Sequence, residues 1–314
     1  MPVYVLLAGG LGNQLFQYSA ALEMGAREVV FVDFIKNARQ DKVGKPEILS
    51  LKLEIPVLFF RTFNYKKYIR RYFLWLLGAT SSPTSLRYKA SSSFIVTCLT
   101  STLIWCLTGI KMEVVLENRL EPGQWIFRSK KPKFIIGYFQ SRLSTQSVVN
   151  KIELTSLLTP SLEFESALRK LEQNKFIGVH IRRGDYVGHP TFGLLSYKYF
   201  KDAIVEFWEN DHKIILFSDS LIEICDYVPD WLEASTSLNT CNFSGAEVLI
   251  LMSRCQKLIM SNSSLSWWAG YIAQSFGHEV IAPDPWFRSE LQSPEFFHGS
   301  WKRRRSLFHD TLNR

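Results

Sequence analysis

Short apolar blocks alternate with polar ones in the first half of the chain, in the order expected for an α/β sheet. The runs VYVLL and VVFVDF have the composition of buried strands, and a segment with helical spacing lies between them. Glycines separate the first strand from this helix, at Gly9, Gly10 and Gly12. The predicted elements are strands at 3–7, 29–34 and 133–138 and a helix at 13–24. A strand, glycine turn, helix and strand in succession indicate an α/β unit.

The pattern becomes more regular after Pro160. The predicted elements there are strands at 176–181, 213–218, 257–260 and 279–282 and helices at 196–209, 245–255 and 265–276. This alternation predicts a parallel sheet with helical crossovers. Residues 145–175 are polar with helical spacing, and Pro160 inside them marks a domain boundary.

Each predicted strand of the second half ends in a polar cluster. The clusters are Arg182–Arg183–Gly184–Asp185, Ser218–Asp219–Ser220, Ser261–Asn262–Ser263–Ser264 and Pro283–Asp284–Pro285. The carboxyl ends of parallel strands meet at one edge of a sheet, where ligands bind in open α/β folds. The sequence therefore predicts a binding site at this edge.

Two of these clusters have the chemistry of an anion site. Arg182 and Arg183 follow a buried strand, and arginine grips phosphate with two parallel N–H donors. The alternative is a structural ion pair with Asp185. The run from Ser261 to Ser264 precedes an apolar helix whose N-terminal N–H groups accept an anion, although serine also caps helices without any ligand.

Two further signals are less specific. Asp219 can accept hydrogen bonds from the N1–H and exocyclic amine of guanine, or it can cap the next helix. The loop AGGLGNQLFQ at 8–17 resembles a dinucleotide fingerprint, but Leu15 occupies the third glycine position. We expect Asn13 and Gln14 in this loop to project toward the space between two domains.

Composition and missing motifs narrow the class of protein. The content of 46% hydrophobic and 14% aromatic residues excludes a disordered chain, and 314 residues fit two domains. Five scattered cysteines, an odd number, exclude a disulfide scaffold. The chain has no Walker A, Asp-x-Asp, zinc-spaced Cys/His or Gly-x-Ser-x-Gly motif. We therefore predict no metal and no cofactor, with arginines and a helix dipole neutralising any leaving phosphate.

The net charge of +8 is concentrated in the N-terminal half. Residues 1–150 contain 20 basic and 9 acidic residues, whereas residues 151–314 contain 17 and 20. No acidic residue lies between Glu54 and Glu113, a stretch with eight basic residues. No nucleic-acid partner is expected, because this excess sits in one segment without an RNA-binding motif.

The acid-free segment predicts contact with a membrane surface. One arc of a helix over 61–77 is basic, with Lys66, Lys67, Arg70 and Arg71. The opposite arc contains Tyr65, Tyr68, Ile69, Tyr72, Trp75 and Leu76. Such a helix suits an anionic lipid interface, but an ordinary surface helix has the same pattern. The uncharged run at 94–110 is at the lower limit for a span and favours a buried or interfacial helix. No secretory signal is visible, so we expect a cytoplasmic protein, peripheral to the inner face of the plasma membrane.

Several segments together resemble the α-1,2-fucosyltransferases of glycosyltransferase family 11. They are AGGLGNQLFQYSAAL at 8–22, GYFQS at 137–141, HIRRGDYV at 180–187, LFSDS at 216–220, LILMSRC at 249–255, SNSSLSWWAGY at 261–271 and IAPDPWF at 281–287. Their order and spacing also fit. The chain departs from the family at 55–112, which has no family motif, and at 142–144, where the family often has acidic and aromatic residues.

The resemblance implies a GT-B-like α/β fold of two Rossmann-like domains that face each other across a cleft. We expect an acceptor-side domain over 1–155 with a basic, aromatic insertion at about 55–112, a GDP-fucose-binding domain over 156–295 and a tail over 296–314. The implied reaction is metal-independent, inverting transfer of L-fucose from GDP-β-L-fucose to the 2-hydroxyl of a β-galactoside. The acceptor belongs to a surface glycan such as O-antigen or to its lipid-linked precursor.

The motifs and the resemblance predict the site residues. Arg182 and Arg183 neutralise the leaving diphosphate, and Asp185 is either a general base or their orienting partner. A dissociative transition state needs little help from a base, so none is required. The predicted donor contacts are His180, Asp219, Asn262, Ser263 and Ser264. The predicted cleft residues near the sugar are Gly10, Gly12, Asn13, Gln14 and Gln140. The alternative is a non-catalytic carbohydrate- or nucleotide-binding module of the same fold.

Overall fold

The chain folds into two compact units in the computed structural model, Met1–Ser156 and Leu157–Arg314. The predicted boundary between residues 155 and 156 lies one residue from this division. The residues that the structure describes are 1–34, 45–61, 67–80, 94–117, 131–140, 152–189, 192–220, 224–229, 232, 236–288 and 296–309.

The N-terminal unit is built on a five-stranded parallel sheet of order β4-β2-β1-β6-β5. Its elements are β1 (Pro2–Leu6), α1 (Leu11–Glu23), β2 (Glu28–Asp33), β3 (Leu51–Leu53), β4 (Val57–Arg61), α2 (Lys67–Thr80), α3 (Phe94–Thr108), β5 (Glu113–Leu116), β6 (Lys133–Ile136) and β7 (Ile152–Leu157). The strands are nearly continuous apolar runs, as expected where both faces of a sheet are buried. The register places Val5 between Phe31 and Ile135.

The described parts of residues 55–112, namely 55–61, 67–80 and 94–112, are integral to the N-terminal unit, whereas the sequence predicted an insertion. β4 pairs directly with β2 and forms one edge of the sheet. Helices α2 and α3 contribute Phe73, Leu76 and Ile104 to the same buried core as the strands. The ring of Phe73 stacks on that of Phe34 after β2, with centroids 4.9 Å apart. The segment therefore supplies an edge strand and two core helices of the N-terminal unit.

The aromatic arc predicted to contact lipid lies mostly inside the N-terminal unit. Helix α2 begins at Lys67, and Tyr65 and Lys66 lie outside the described residues. Leu76 is fully buried, and Tyr72 and Trp75 pack against the N-terminal core. Tyr68 is the exception, at 77% exposure. An aromatic helical face serves a protein core as readily as a bilayer, and here most of it serves the core.

Helix α3 contains 15 residues. Among the helices of the described ranges, none has both the length and the apolar content needed to cross a bilayer. The uncharged run at 94–110 therefore forms a helix of the first unit, of which Ile104 is completely buried and Ile95 is 68% exposed.

The C-terminal unit contains a six-stranded parallel sheet of order β10-β9-β8-β11-β12-β13. Its elements are α4 (Leu162–Gln173), β8 (Lys175–Ile181), α5 (Tyr197–Phe207), β9 (His212–Ser218), β10 (Thr236–Asn239), α6 (Gly245–Ser253), β11 (Lys257–Ile259), α7 (Ser264–Ser275), β12 (Glu279–Asp284) and β13 (Lys302–Arg305). All four strands and three helices predicted after residue 175 are confirmed. The two parallel sheets confirm the predicted GT-B-like α/β class, a chain of two Rossmann-like domains.

Two segments of the second half differ from the predictions. Residues 152–157 form a strand that pairs with β3, although 145–175 was predicted to be helical. Residues 302–305 are not part of a free tail, because β13 pairs in parallel with β12. Three of its four basic side chains are exposed, and charged residues on an edge strand discourage pairing with another chain.

Candidate active site

Arg182 is held by two carboxylates at the carboxyl edge of the C-terminal sheet. Its Nη1 lies 2.8 Å from Oδ2 of Asp219, and its Nη2 donates to Oδ1 of Asp185. Asp219 follows β9 and Arg182 follows β8, and these strands are neighbours in the sheet. The other Asp219 oxygen accepts the main-chain N–H of Arg183 at 2.9 Å. One carboxylate therefore fixes both the side chain of Arg182 and the backbone after β8.

Gly184 makes this close approach possible. A Cβ atom on Gly184 would lie 2.4 Å from Oδ2 of Asp219, well inside van der Waals contact. Residues 184–186 then turn in a short 3₁₀ helix that brings Asp185 back to Arg182. The RRGD order thus places cation, glycine and carboxylate where the local geometry needs each of them.

The two adjacent arginines face different partners. The side chain of Arg182 is 16% exposed and lies between carboxylates, whereas Arg183 is buried and donates from Nη1 to the hydroxyl of Tyr227 at 2.7 Å. Burial lowers the pKa of Arg182, but Asp219 and Asp185 outweigh it and raise that pKa overall. Both guanidinium groups are therefore fixed cations at this edge.

His180 is the neutral member of the cluster. It lies in β8, is 3% exposed, and its Nδ1 is 3.0 Å from the hydroxyl of Ser261. Burial lowers the pKa of His180, the charge of Arg182 adds to this shift and Asp219 opposes it, so that the pKa falls to about 4. The imidazole is therefore uncharged at neutral pH and offers a hydrogen bond rather than a charge.

The serine cluster begins helix α7 at the same edge. Ser263 is the N-cap residue, but its side chain makes no capping hydrogen bond. Ser261 N–H instead donates to the hydroxyl of Ser266 at 3.2 Å. Ser263 is 8% exposed, and Ser264 is half-buried in the first turn. This N-terminus has the positive dipole end that suits an anion.

Asn262 has a structural role in the C-terminal unit, and its predicted contact with the donor stays a prediction. It is 1% exposed, and its Nδ2 donates to the carbonyls of Phe192 and Gly193 at 2.9 and 3.1 Å. Its own carbonyl accepts the hydroxyl of Tyr186 at 3.1 Å. Both amide hydrogens are used, so Asn262 joins three loops of the C-terminal unit. The other predicted donor contacts, His180, Asp219, Ser263 and Ser264, stay predictions.

The glycine loop of the N-terminal unit brings two predicted residues together. Nε2 of Gln140 donates to Oδ1 of Asn13 at 2.8 Å, which joins the GYFQ and GGLGNQ motifs. Gly9 has a φ of +74°, and a Cβ there would lie 2.3 Å from Nδ2 of Asn13. Gly10 is the N-cap of α1, and Gly12 is buried in its first turn.

Gln14 does not project outward, contrary to the prediction made for this residue of the glycine loop. Its side chain is fully buried, donates from Nε2 to the carbonyl of Gly9 at 3.1 Å and accepts the N–H of Ile48 at 3.0 Å. Gln17, one turn further, donates to the carbonyls of Leu6 and Gly137 at 3.0 and 2.9 Å. These two amides hold the loop from inside, since a buried polar group must be hydrogen-bonded.

Glu117 is an acidic residue in contact with the GYFQ motif, and the sequence analysis did not include it among the site residues. It follows β5, and its two carboxylate oxygens accept the N–H groups of Tyr138 and Phe139, each at 2.8 Å. Phe139 has a φ of +54°, so the carboxylate fixes a backbone conformation that is unfavourable for a bulky residue. Burial raises the pKa of Glu117 to about 7, although the main-chain hydrogen bonds oppose this shift. The sequence contained a signal for it, because Glu117 directly follows an apolar strand, just as Asp219 does in the second half.

The comparison with protein families identifies the class. Residues 127–303 match the family described as glycosyl transferase family 11, and this range is more than half of the chain. The fold is therefore that of a glycosyltransferase. The chain belongs to glycosyltransferase family 11, as the resemblance of its motifs indicated.

Two curated relatives from Escherichia coli match almost the whole chain. The O-antigen biosynthesis glycosyltransferase WbnK is 25% identical over 315 residues, with coverage of 93% of this chain and 97% of that one. An alpha-1,2-colitosyltransferase is 26% identical over 316 residues, with coverage of 96% and 98%. Among solved structures, the chain is similar to the fucosyltransferase NodZ from Bradyrhizobium, with a TM-score of 0.45, 15% identity and coverage of 86% and 92%.

Proposed function

We propose that this glycosyltransferase transfers L-fucose from GDP-β-L-fucose to the 2-hydroxyl of a β-galactoside in the synthesis of a bacterial surface glycan. The observation that carries the proposal is the cluster of Arg182, Asp219 and Asp185 in a family 11 chain. The O-antigen biosynthesis glycosyltransferase WbnK, which is similar along 93% of this chain, supports the surface-glycan context.

The acceptor 2-hydroxyl attacks C1 of fucose from the face opposite the diphosphate, so the anomeric configuration inverts. The bond from C1 to the phosphate oxygen breaks, and GDP leaves with the electron pair. Arg182, Arg183 and the N-terminus of α7 neutralise the charge that develops on the diphosphate. Because these groups are fixed before the reaction, they need little reorganisation in the transition state. No metal is required in this proposal.

Asp185 orients Arg182 rather than accepting the acceptor proton. Its Oδ1 is already hydrogen-bonded to Nη2 of Arg182, and its side chain is 67% exposed. The carboxylate of Asp185 is thus already engaged by arginine, and a dissociative, oxocarbenium-like transition state needs only weak assistance from a base. The hydroxyl proton then passes to solvent or buffer.

Transfer of colitose is the second candidate function. The alpha-1,2-colitosyltransferase that is similar along 96% of this chain supports it. Colitose is fucose without the 3-hydroxyl, so the two donors differ by a single hydrogen-bonding group. A site that hydrogen-bonds this hydroxyl discriminates strongly against the deoxy sugar, because its polar partner is left unpaired.

We also propose that the enzyme works at the cytoplasmic surface of an anionic membrane on a lipid-linked acceptor. The support is the acid-free stretch between Glu54 and Glu113, in which Arg70, Arg71 and Lys111 are exposed. Basic surface residues are attracted to anionic lipid headgroups.

The test is a transfer assay in detergent with EDTA. Purified protein receives GDP-fucose or GDP-colitose, with lactose or Gal-β1,3-GalNAc as acceptor, and mass spectrometry and free GDP report the outcome. We expect a mass gain of one deoxyhexose from GDP-fucose, with kcat about 10²- to 10³-fold lower in Arg182→Ala and unchanged in the exposed Arg169→Ala. Transfer only from GDP-colitose selects the second candidate. GDP release without product places the error in the acceptor. Absence of transfer, GDP release and donor binding overturns the enzyme and favours the binding module.

A further inference from the structure

Helix α3 presents an apolar face that the described structure leaves open to solvent. Ile95, Leu99 and Trp105 are 68%, 60% and 46% exposed. Cys98, Thr102 and Cys106 are exposed as well, and no charged residue occurs in the helix. At 3.6 residues per turn, these six positions share an arc of roughly 120°. On the opposite side of the helix, Thr100 and Ile104 are completely buried.

The exposed apolar residues of this face lie on one side of one helix instead of being scattered over the surface. Its apolar side chains recur at positions 95, 99 and 105 along a helix of 15 residues. A helix of this length is about 22 Å long and lies along a surface rather than through a bilayer. A contiguous apolar patch on a soluble unit marks an interaction site.

The charges around the face favour an anionic partner. Nζ of Lys111 lies 4.9 Å from the ring centroid of Trp105, at the C-terminal end of the helix. Arg70 and Arg71 are exposed on α2, which is joined to α3 by the 2.6 Å hydrogen bond between Tyr72 and Thr100. This bond is on the buried side of α3, and Lys111 is the cation that contacts the exposed face among the described residues. No acidic residue lies between Glu54 and Glu113.

A concave region adjoins the Trp105 end of this face. It encloses about 780 Å³ and is lined by Trp105, Thr102, Lys111 and Lys131, with the carboxyl-bearing Glu113 also in its wall. Indole and ammonium groups side by side are typical of the membrane interface, where the ring lies at headgroup depth and the cation meets phosphate.

We propose that the exposed face of α3 is the surface by which the protein lies on an anionic lipid bilayer. Ile95 and Leu99 enter the boundary between headgroups and acyl chains, and Trp105 and Lys111 lie at headgroup level. The proposal rests on the proposed membrane association and assigns the apolar contact to α3 instead of the aromatic arc of α2. A second copy of the chain is a poorer occupant of this surface, because it would bring like charges together.

The test compares vesicle binding of matched variants by flotation. Vesicles contain phosphatidylcholine alone or phosphatidylcholine with about a third phosphatidylglycerol. We expect the wild type to float with the anionic vesicles and the double variant Ile95→Gln, Leu99→Gln to lose at least tenfold in partitioning. The matched control is Leu162→Gln, which removes a leucine that is 80% exposed on α4 of the other unit. It should bind like the wild type.

A second measurement places the tryptophan. Vesicles with bromine on the upper acyl chain quench indole fluorescence at the boundary, and the quenched fraction should fall in Trp105→Phe. Transfer to lactose in detergent, measured on every variant, reports folding and separates this proposal from the proposed enzyme. Wild type that transfers fucose but does not float overturns both the membrane association and the α3 face. Double-variant protein that floats like the wild type overturns the face alone, as does a wild-type dimer that this variant dissociates.

Discussion

The two sheets hold their candidate loops with carboxylates in different electrostatic surroundings. Glu117 in the N-terminal unit binds main-chain N–H groups of residues 138 and 139. Asp219 in the C-terminal unit binds a main-chain N–H and also the guanidinium of Arg182. Both carboxylates follow a strand of a parallel sheet, and each fixes the main chain that follows a neighbouring strand.

The two carboxylates have different roles, because Glu117 fixes the main chain of a loop and Asp219 also holds a charged side chain. Dipoles of N–H groups compensate Glu117 only partly, and burial raises its pKa to about 7. Asp219 meets a full positive charge, and its partner Arg182 has a raised pKa. The first arrangement shapes a loop, whereas the second holds the Arg182 cation at the edge of the sheet, where the proposed reaction releases a diphosphate.

Removal of Arg182 should have the largest effect. Arg182→Ala is expected to lower kcat by 10²- to 10³-fold, as for loss of a preorganised transition-state donor. It also leaves Asp219, 11% exposed, without its cation, at a cost of about 3 kcal/mol in the free energy of unfolding. Turnover assays and urea denaturation measure the two effects.

A double-mutant cycle sharpens this result. Asp219→Asn alone removes the charge that Arg182 neutralises, and the double variant should recover part of the lost stability because no unpaired buried charge remains. A coupling near zero between the two substitutions would show that their 2.8 Å contact contributes nothing to the fold.

Loss of the Glu117 carboxyl should affect stability more than chemistry. Glu117→Ala leaves two N–H groups without an acceptor and should cost about 2–4 kcal/mol in unfolding free energy. The folded pKa is raised above 4.5, so the contribution of the carboxyl is complete below about pH 4.5 and is lost as the pH rises through 7. Glu117→Gln should remove this pH dependence.

Urea denaturation from pH 4 to 8 gives the difference between wild type and Glu117→Gln. A constant difference over that range would contradict the neutral carboxyl. If kcat for GDP-fucose falls as steeply as in Arg182→Ala while the unfolding free energy is unchanged, Glu117 takes part in the chemistry and the comparison between the two carboxylates fails.

His180 should give the opposite pH dependence. Its folded pKa of about 4 lies below the ordinary histidine pKa of 6.5, so the unfolded chain binds a proton first as the solution is acidified. The contribution of the neutral imidazole to the free energy of unfolding is therefore complete above about pH 6.5 and is lost as the pH falls toward 4. The variant His180→Gln has no titrating side chain at this position. The melting temperatures of the variant and the wild type should therefore become more similar as the pH falls. Parallel melting curves across this range would mean that His180 is not held neutral.

Substitution of Asp185 should have the smallest effect. Its carboxylate is 67% exposed, and exposed ion pairs contribute at most about 1 kcal/mol. Asp185→Asn keeps a hydrogen-bond acceptor for Arg182, so we expect kcat to change by less than about threefold. A loss of 10²-fold or more with unchanged stability, together with loss of the acidic limb of the pH–rate profile, would identify Asp185 as the general base.

The regular elements of the C-terminal unit were predictable because apolar runs and helical spacing coincide there. Strand adjacency then brings Arg182 and Asp219 together, although they are far apart in the chain. What the pattern does not determine is the direction of an individual side chain. Asn262 and Gln14 lie in the predicted loops, yet each turns inward to hydrogen-bond the main chain.

The N-terminal unit was less predictable for two physical reasons. Periodicity identifies an amphipathic helix but not the medium that covers its apolar face, so the aromatic arc of α2 was assigned to lipid although Leu76 is buried in the core. The edge strand β4 is short and partly exposed, and Leu58 and Phe60 are each 51% exposed. A strand of that kind has no distinctive pattern until its pairing with β2 is known.

The place of β8 in its sheet has a consequence for how the chain acquires its shape. This central strand pairs with residues 212–218 on one side and residues 257–259 on the other. Contacts between segments so distant in sequence require large loops to close first, which slows folding. During synthesis the HIRRGD segment therefore emerges before its neighbouring strands. Its apolar residues stay exposed until residues 212–218 and 257–259 have been made. Chaperone demand and aggregation in the cell should depend on this interval more than on the stability of the finished sheet.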